Sequence, residues 1–424
     1  MTAPVLPVPR PLTAPATFHV LAKPSGPICN LDCSYCFFLS KEALYPGDRF
    51  RMTDDTLAAY VRQVIESQDG PEVTVAWQGG EPTLMGLDFF RRAVALAEEA
   101  AAGRPLLHTI QTNGTLLTDE WCAFLAEHRF LVGLSVDGPP ALHDVYRVDK
   151  QGAPTADRVR RAWDRLVAHG VETNVLCTVN AANAHDPLGV YRHFRDELGA
   201  RHLQFIPIVE RVNDTGFQEG DTVTERSVDP EAWGRFLIAV FDEWLARDVG
   251  TVFVRAFDDA LAAWVGVPGG SCITAETCGN ALALEHNGDL YSCDHFVEPK
   301  HLLGNIMTTH MVELVASPQQ RAFGAAKRDT LPRYCRECPV RFACHGECPK
   351  NRFARPPDGE PGLNHLCAGY RAFFTHVDGP MRLMAGLLAE GRFADEVMAV
   401  LGSAPRNEPC PCGSGRKAKH CHAR

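Results

Sequence analysis

The sequence lacks the hydrophobic segments that membrane insertion or secretion requires. It has no run of about 18 apolar residues, the length of a transmembrane helix. Near its start, prolines interrupt the stretch where a signal peptide needs unbroken apolar residues. These prolines are Pro4, Pro7, Pro9, Pro11 and Pro15. We therefore expect a cytoplasmic protein with no membrane partner.

An excess of basic charge is missing as well. The chain has 42 Lys and Arg against 52 Asp and Glu, for a formal net charge of -10. This balance argues against broad electrostatic binding to nucleic acid or to an anionic membrane. At 45% hydrophobic and 22% charged residues, the composition also excludes extended disorder. The 424 residues exceed one ordinary core and suit a large catalytic domain with smaller appendages.

Short apolar runs alternate with longer amphipathic stretches through the first half of the chain. The predicted strands are 18–23, 73–77, 107–111, 131–136, 172–178 and 203–209. The predicted helices between them are 54–67, 87–101, 118–128, 156–169 and 188–198. This alternation predicts an α/β fold with a parallel sheet and outer helices. An incomplete (β/α) barrel and a doubly wound sheet fit it equally well.

The character of the chain changes near residue 250. A polar connection and a predicted helix over 230–247 precede a segment rich in Cys, Gly and Pro, as expected of a fold built around metals. We predict five regions. They are a Pro-rich leader (1–16), the barrel (17–250), an auxiliary metal domain (251–380), a helical tail (381–402) and a Cys/His end piece (403–424).

Cys29, Cys33 and Cys36 follow the first predicted strand with C-x3-C-x2-C spacing. In a reducing compartment, clustered thiols favour metal ligation or catalysis over disulfides. Three thiolates could hold three irons of a four-iron cluster and leave the fourth open to a substrate or cofactor. A zinc knuckle that lacks one ligand is the alternative.

This spacing, with an aromatic residue before the last cysteine, resembles the signature of radical S-adenosylmethionine enzymes. The resemblance implies a partial (β/α)6 barrel and a [4Fe–4S] cluster whose open iron binds S-adenosylmethionine. The bound cofactor would yield a 5′-deoxyadenosyl radical. It also implies cofactor contacts from Tyr35 near the adenine, from Gly79, Gly80 and Glu81 in a methionine-binding loop, and from Ser135 at a strand end.

Eight further cysteines lie between residues 272 and 367. They could complete two four-iron clusters or two structural zinc sites, because C-x2-C spacing does not identify the metal. Their order, with C-x9-G-x4-C at Cys278, Gly288 and Cys293, resembles the SPASM domain and implies two auxiliary [4Fe–4S] clusters. By that resemblance the ligands of auxiliary cluster I are Cys272, Cys278, Cys293 and Cys348, and those of auxiliary cluster II are Cys335, Cys338, Cys344 and Cys367.

Asp294 directly follows Cys293, where a carboxylate could support a cluster ligand or act as a base. The segments 293–297, 204–210 and 348–352 resemble those of anaerobic sulfatase-maturating enzymes, and the resemblance covers about residues 18–376. It implies that Asp294 is the general base in the oxidation of a sulfatase cysteine or serine to Cα-formylglycine. The radical would take a hydrogen atom from Cβ, and the remaining electron would leave through the auxiliary clusters.

The same resemblance implies the partners. The substrate would be a sulfatase segment of the type Cys/Ser-x-Pro/Ala-x-Arg, contacted by Gln78, and a protein such as ferredoxin or flavodoxin would supply electrons. Phe38 departs from the pattern, because a tyrosine is expected two positions beyond the third cysteine. The preference between cysteine and serine therefore stays open. Cys122 and Cys177 belong to no predicted cluster.

The chain ends in a Cys/His group of its own. Cys410, Cys412, Cys421 and His422 could form a closed tetrahedral Zn²⁺ site, and the segment resembles the SEC-C zinc motif. Residues 406–424 contain five Lys or Arg and one acidic residue, Glu408. This basic segment is either a solvated charge run or a docking module for a protein or ribosomal partner.

Two other functions stay open on the sequence alone. A SPASM-type maturase that modifies another peptide, for example by thioether crosslinking, often carries an N-terminal leader-binding domain, and only 28 residues precede Cys29. A non-enzymatic adaptor stapled by metals would not need the open three-cysteine site.

Overall fold

The computed structural model describes residues 11–422. Residues 1–10 of the predicted leader, with Pro4, Pro7 and Pro9, lie outside the described residues, as do 423 and 424. One mixed sheet of ten strands organises the described part of the chain. The strands are β1 (His19–Lys23), β2 (Val73–Trp77), β3 (Leu106–Thr112), β4 (Leu131–Ser135), β5 (Thr173–Val179), β6 (His202–Pro207), β7 (Phe253–Val254), β8 (Ala281–Glu285), β9 (Asp289–Tyr291) and β10 (Leu302–Asn305).

Helices connect the strands and cover the sheet. Their bounds are α1 (Asp54–Glu66), α2 (Leu87–Ala101), α3 (Asp119–Glu127), α4 (Pro140–His143), α5 (Ala156–Ala168), α6 (Pro187–Arg192), α7 (Pro230–Arg247), α8 (Arg255–Val265), α9 (Met311–Val315), α10 (Pro318–Asp329), α11 (Arg333–Arg336), α12 (Arg341–Cys344), α13 (Cys367–Ala389) and α14 (Glu396–Gly402). The helix α6 continues as a π-helical segment, His193–Leu198. Within residues 11–422, no helix combines the length and the apolar character needed to cross a membrane.

The predicted α/β fold is confirmed. Strands β1 to β6 pair in parallel and in consecutive order, with β7 beyond β6, and the other side of β1 is paired by a strand of the cysteine-rich segment. Consecutive order with outer helices is the arrangement of a partial (β/α) barrel. Capping side chains set helix starts, as Thr53 and Thr118 accept bonds from backbone N–H groups three residues on.

The cysteine-rich segment contributes three strands that the sequence pattern did not predict. Strand β8 pairs in parallel with β1, from His19 opposite Ala281 to Lys23 opposite Glu285. Strands β9 and β10 then add antiparallel neighbours. Strands β9 and β10 are too short to show a period, at three and four residues, and β8 is defined by its distant partner β1. As a result, the auxiliary domain extends the same sheet instead of standing apart from it.

The long helix α13 joins the auxiliary domain to the barrel. It begins at Cys367, a predicted cluster ligand, and packs along α7. The two helices approach closely because both carry glycine at the crossing: a Cβ added to Gly234 would lie 2.7 Å from the Cα of Gly369. The helix also runs through position 380, where the sequence pattern separated two regions. The region boundaries themselves stay predictions.

Candidate active site

Two segments pack against each other at the carboxyl ends of β1 and β2. They are the cysteine loop, residues 29–36, and the Gly-Gly-Glu-Pro turn, residues 79–82. The backbone N–H of Gly80 donates to the carbonyl of Gly26 at 2.9 Å, and that of Glu81 donates to the carbonyl of Ile28 at 2.9 Å. A Cβ on Gly80 would lie 2.0 Å from the carbonyl oxygen of Ile28, the residue before Cys29. Only glycine allows this approach, so the turn supports the backbone that carries the first cluster ligand.

Replacing Gly80 by alanine is therefore expected to displace the cysteine loop. The methyl group would meet backbone atoms, which cannot move aside as a flexible side chain can, so we expect destabilisation of about 1–3 kcal/mol or more and loss of iron bound by the first cysteine group. Thermal unfolding and iron content measure the two effects. Gly386→Ala is the matched control, because a Cβ there meets nothing within 4 Å and should stabilise α13 by about 0.5–1 kcal/mol. Equal behaviour of the two variants would contradict this interpretation.

The Cys29 thiol lies in an environment that opposes its ionisation. The pKa of Cys29 is raised to about 12, chiefly by burial, and the carboxylate of Glu81 and the thiols of Cys36 and Cys33 contribute to this rise. Two hydrogen bonds favour the thiolate, from the N–H of Leu31 at 3.3 Å and from the side-chain amide of Asn113 at 3.6 Å. The three thiols are thus neighbours, and a cation that replaces their protons suits this donor set.

The Glu81 side chain is fully buried and ties the turn to the end of β3. One carboxylate oxygen accepts bonds from the hydroxyls of Thr83 (2.6 Å) and Thr112 (2.8 Å), and the other accepts from the N–H of Asn113 (2.8 Å). Burial raises the pKa of Glu81, and these donors oppose that shift. Glu81 thereby aligns two strand ends with the cysteine loop. Its predicted contact with the cofactor stays a prediction.

The other predicted cofactor residues lie at the same edge of the sheet. The Tyr35 hydroxyl is buried, donates to the carboxylate of Asp137 and accepts from the guanidinium of Arg147 at 2.9 Å. Ser135 ends β4 and accepts a bond from the side-chain amide of Gln111 at 2.9 Å. Contacts of Tyr35, Gly79, Gly80 and Ser135 with the cofactor, and of Gln78 with a peptide, stay predictions.

Asp294 lies next to a buried lysine at the end of β1. Its carboxylate Oδ1 is 2.9 Å from the ammonium Nζ of Lys23, and Glu285 Oε1 is 3.4 Å from the same ammonium. Burial by itself would lower the pKa of Lys23, but the two carboxylates outweigh it and the pKa is raised. The turn that carries Asp294 also faces the cysteine loop, since the rings of His295 and Phe37 lie 5.3 Å apart.

The auxiliary cysteines form two groups of neighbours. Cys335, Cys338, Cys344 and Cys367 line one cavity. In the other group, burial raises the pKa of Cys293, with a further contribution from nearby thiols that include Cys348 and Cys272. Cys272 likewise contributes to the raised pKa of Cys278, after burial. Each group has the number and kind of donors that a fully ligated four-iron cluster needs. The assignment of metals to them stays a prediction.

The C-terminal group brings its four donors closest together. The donor atoms of Cys410, Cys412, Cys421 and His422 all lie within 4.8 Å of one another. The Cys412 and Cys421 sulfurs are 3.5 Å apart, and the Cys410 sulfur is 3.3 Å from His422 Nδ1. Three thiols and an imidazole at such separations suit a tetrahedral zinc ion with bonds of about 2.0–2.3 Å.

Sequence reasoning missed three residues of this site. Lys23, Asp137 and Arg147 are all buried charged side chains, and each contacts a predicted site residue. A lysine at the end of an apolar strand was the available signal for Lys23, because an unpaired buried charge is costly. By contrast, Cys122 and Cys177 are buried among apolar residues, as expected of thiols outside a cluster.

Known families match most of this chain. The family described as Radical SAM superfamily matches residues 24–192, and an iron–sulfur cluster-binding domain, SPASM, matches 272–339. The SEC-C motif matches 406–424. The fold and the site thus define a radical SAM protein with an iron–sulfur domain and a C-terminal SEC-C motif.

Similar proteins narrow this class. The serine-type anaerobic sulfatase-maturating enzyme of Bacteroides thetaiotaomicron is 44% identical over 90% of this chain and 95% of the relative. The cysteine-type enzyme of Clostridium perfringens is 32% identical over 84% of this chain and 95% of the relative. The solved structure of native anSMEcpe with bound AdoMet is 31% identical, with a TM-score of 0.79 over 87% of this chain and 99% of that one. The chain belongs to the family of anaerobic sulfatase-maturating enzymes.

Proposed function

We propose that the protein oxidises an active-site cysteine or serine of a sulfatase to Cα-formylglycine. The observation that carries the proposal is the buried carboxylate of Asp294, held 2.9 Å from Lys23 at the edge of the sheet that also carries the cysteine loop. The relatives named as serine-type and cysteine-type sulfatase-maturating enzymes support it, as does a related structure that contains AdoMet and a peptide.

The reaction removes two electrons and two protons from the substrate side chain. S-adenosylmethionine bound at a cluster with one open iron would supply the chemistry that abstracts a hydrogen atom from the substrate. Two fully ligated clusters would supply a path for the second electron. The carboxylate of Asp294 accepts the thiol or hydroxyl proton of the substrate. Serine then gives the aldehyde directly, whereas the thioaldehyde from cysteine exchanges sulfur for oxygen with water.

The cofactor and partner assignments belong to the same proposal. Cys29, Cys33 and Cys36 hold the first of three [4Fe–4S] clusters, the two auxiliary groups hold the others, and the C-terminal group holds one Zn²⁺. A protein such as ferredoxin or flavodoxin would be the electron donor for the cluster that Cys29, Cys33 and Cys36 would hold. The proposed location is the cytoplasm, a reducing compartment in which thiols stay available for metal ligation.

A peptide assay tests the proposed function. Anaerobically reconstituted protein, S-adenosylmethionine and dithionite are incubated with a peptide that contains a Cys-x-Pro-x-Arg sequence, or its serine counterpart. By mass spectrometry we expect the cysteine peptide to lose the elements of hydrogen sulfide and gain one oxygen atom, and the serine peptide to lose two hydrogen atoms. Both reactions should release 5′-deoxyadenosine.

A peptide with alanine at the modified position is the control for this assay and should not change. Formation of 5′-deoxyadenosine with neither the cysteine nor the serine peptide oxidised would refute the sulfatase assignment. It would leave radical chemistry on another substrate.

A further inference from the structure

Lys23 occupies a position that links three parts of the site. Its ammonium lies 2.9 Å from Asp294, and 4.8 Å from the ring centroid of Phe38, two residues after the last cysteine of the loop. Its stem packs against the Gly-Gly-Glu-Pro turn, where a Cβ on Gly79 would lie 2.9 Å from the Cβ of Lys23. Neither end of this side chain is free to move.

The second carboxylate partner of Lys23 is set by the sheet itself. Strand pairing places Lys23 directly opposite Glu285, the last residue of β8. Their side chains are 2% and 1% exposed, respectively. Asp294 reaches the same ammonium from a short helical turn outside the strands. The ammonium therefore ties a single turn to the more rigid sheet.

We propose that Lys23 is a positioning residue that holds the Asp294 carboxylate in place for the substrate proton. This inference rests on the proposed function. Glu285, in the strand, could by itself neutralise the charge of the Lys23 ammonium. The carboxylate of Asp294 nevertheless lies nearer to that ammonium, at 2.9 Å against 3.4 Å for Glu285. A general base must lie within about 3.2 Å of the proton donor. Loss of Lys23 should therefore reduce peptide oxidation more than cofactor cleavage.

The test separates positioning from neutralisation of buried charge. The coupling ratio, oxidised peptide per 5′-deoxyadenosine, is measured for Lys23→Met and for Lys23→Met combined with Glu285→Gln. The double variant restores the net charge that Lys23, Glu285 and Asp294 carry together in the wild-type protein. Glu285→Gln alone reports the effect of losing that carboxylate, and iron content reports folding.

If Lys23 positions Asp294, Lys23→Met retains cofactor cleavage while the coupling ratio falls at least about tenfold. The double variant stays uncoupled, and Lys23→Arg recovers part of the ratio. Coupling that is unchanged in Lys23→Met, or fully restored in the double variant, would overturn the inference. If Lys23→Met loses iron, the coupling ratios of the double variant and of Lys23→Arg are used instead to judge the inference. Failure of the wild-type protein to oxidise either peptide would instead refute the proposed function.

An independent observation concerns the C-terminal Cys/His group. Cys410, Cys412 and Ala418 are buried in the same core as Val377 and Met381 of α13. A Cβ on Gly379 would lie 1.9 Å from the carbonyl oxygen of Cys412. The metal loop is thus seated directly on α13, the helix that begins at a predicted ligand of auxiliary cluster II.

We infer that zinc binding by this group stabilises α13, so that the group is more than a separate docking module. A segment this short folds around its metal, so removal of zinc should release the surface that covers Gly379. The helix α13 is continuous from Cys367 to Ala389. Loss of this covering surface should therefore destabilise the helix beyond the turn that contains Gly379.

Hydrogen exchange on the full protein tests this stabilisation. The variant Cys412→Ser/Cys421→Ser, which lacks two zinc donors, and Gly379→Val, which keeps all four donors but blocks the seat, are compared with the wild-type protein. We expect faster exchange in residues 373–389 for both variants, with zinc content reduced in the first. Faster exchange confined to 403–422 in both variants would overturn the inference. Gly386→Ala, at an open position of the same helix, is the control.

Discussion

Replacing Cys33 by alanine is expected to abolish the formation of 5′-deoxyadenosine. Cys33 is the middle donor of the first cysteine group, and the remaining two thiols cannot hold a cluster that keeps one iron open. The loss should exceed the 10- to 100-fold effect, in order of magnitude, of removing a side chain that only supports a metal ligand. Anaerobic incubation with S-adenosylmethionine and dithionite, followed by chromatography, measures it.

Cys122→Ala serves as the control for Cys33→Ala. Cys122 is equally a cysteine but lies buried in α3, outside every predicted metal group. This control should keep its iron and its cofactor cleavage, with a stability cost of about 1 kcal/mol. Formation of 5′-deoxyadenosine by Cys33→Ala at the wild-type rate would exclude the proposed cluster site, and with it the source of the radical.

Replacing Asp294 by asparagine is expected to stop peptide oxidation while leaving cofactor cleavage in place. Asparagine has nearly the same shape but cannot accept the substrate proton as a carboxylate does. Removal of a general base costs about 100- to 10,000-fold in rate. The measurement is the amount of oxidised peptide relative to 5′-deoxyadenosine, by mass spectrometry and chromatography of the same sample.

The control for Asp294 is a carboxylate in the same hairpin. Asp289→Asn alters a side chain that accepts a hydrogen bond from Tyr45 at 3.2 Å and does not contact Lys23. It should retain peptide oxidation. If Asp294→Asn oxidises the peptide as fast as the wild-type protein, another group removes the proton and the assignment of Asp294 as the base is wrong.

The departure at Phe38 has a physical counterpart in the structure. The sequence comparison indicated that a hydroxyl is lost at this position. In the fold, the Phe38 ring faces the ammonium of Lys23 at 4.8 Å, a distance at which a cation is attracted to an aromatic face. Phe38 therefore contacts the proposed positioning residue. The relatives include both serine-type and cysteine-type enzymes, and the peptide assay measures directly which of the two residues this protein oxidises.

Much of the barrel could be predicted because its signals are local. The six predicted strands and the five predicted helices between them match observed elements with ends that differ by at most two residues; the helix predicted over 188–198 is α6 with its π-helical continuation, and the short helix α4 was not predicted. Apolar runs alternate with amphipathic stretches, and each element carries its own period. Strands β9 and β10 are only three and four residues long, too short to show a period, and β8 was missed because its pairing partner is β1, more than 250 residues earlier.

The cysteine spacing by itself indicated that this chain can bind metals, without identifying the metal. Thiol donors a few residues apart remain close in any compact fold, so the sequence could predict metal groups near both ends, whereas the division of the eight middle cysteines into two groups rested on the resemblance to the SPASM domain. The tertiary structure alone decided the rest. Three contacts join segments that are distant in the sequence. They are Lys23 with Asp294, Gly80 with Ile28, and Gly379 with Cys412. Such contacts depend on strand register and helix packing, which no local pattern of residues contains.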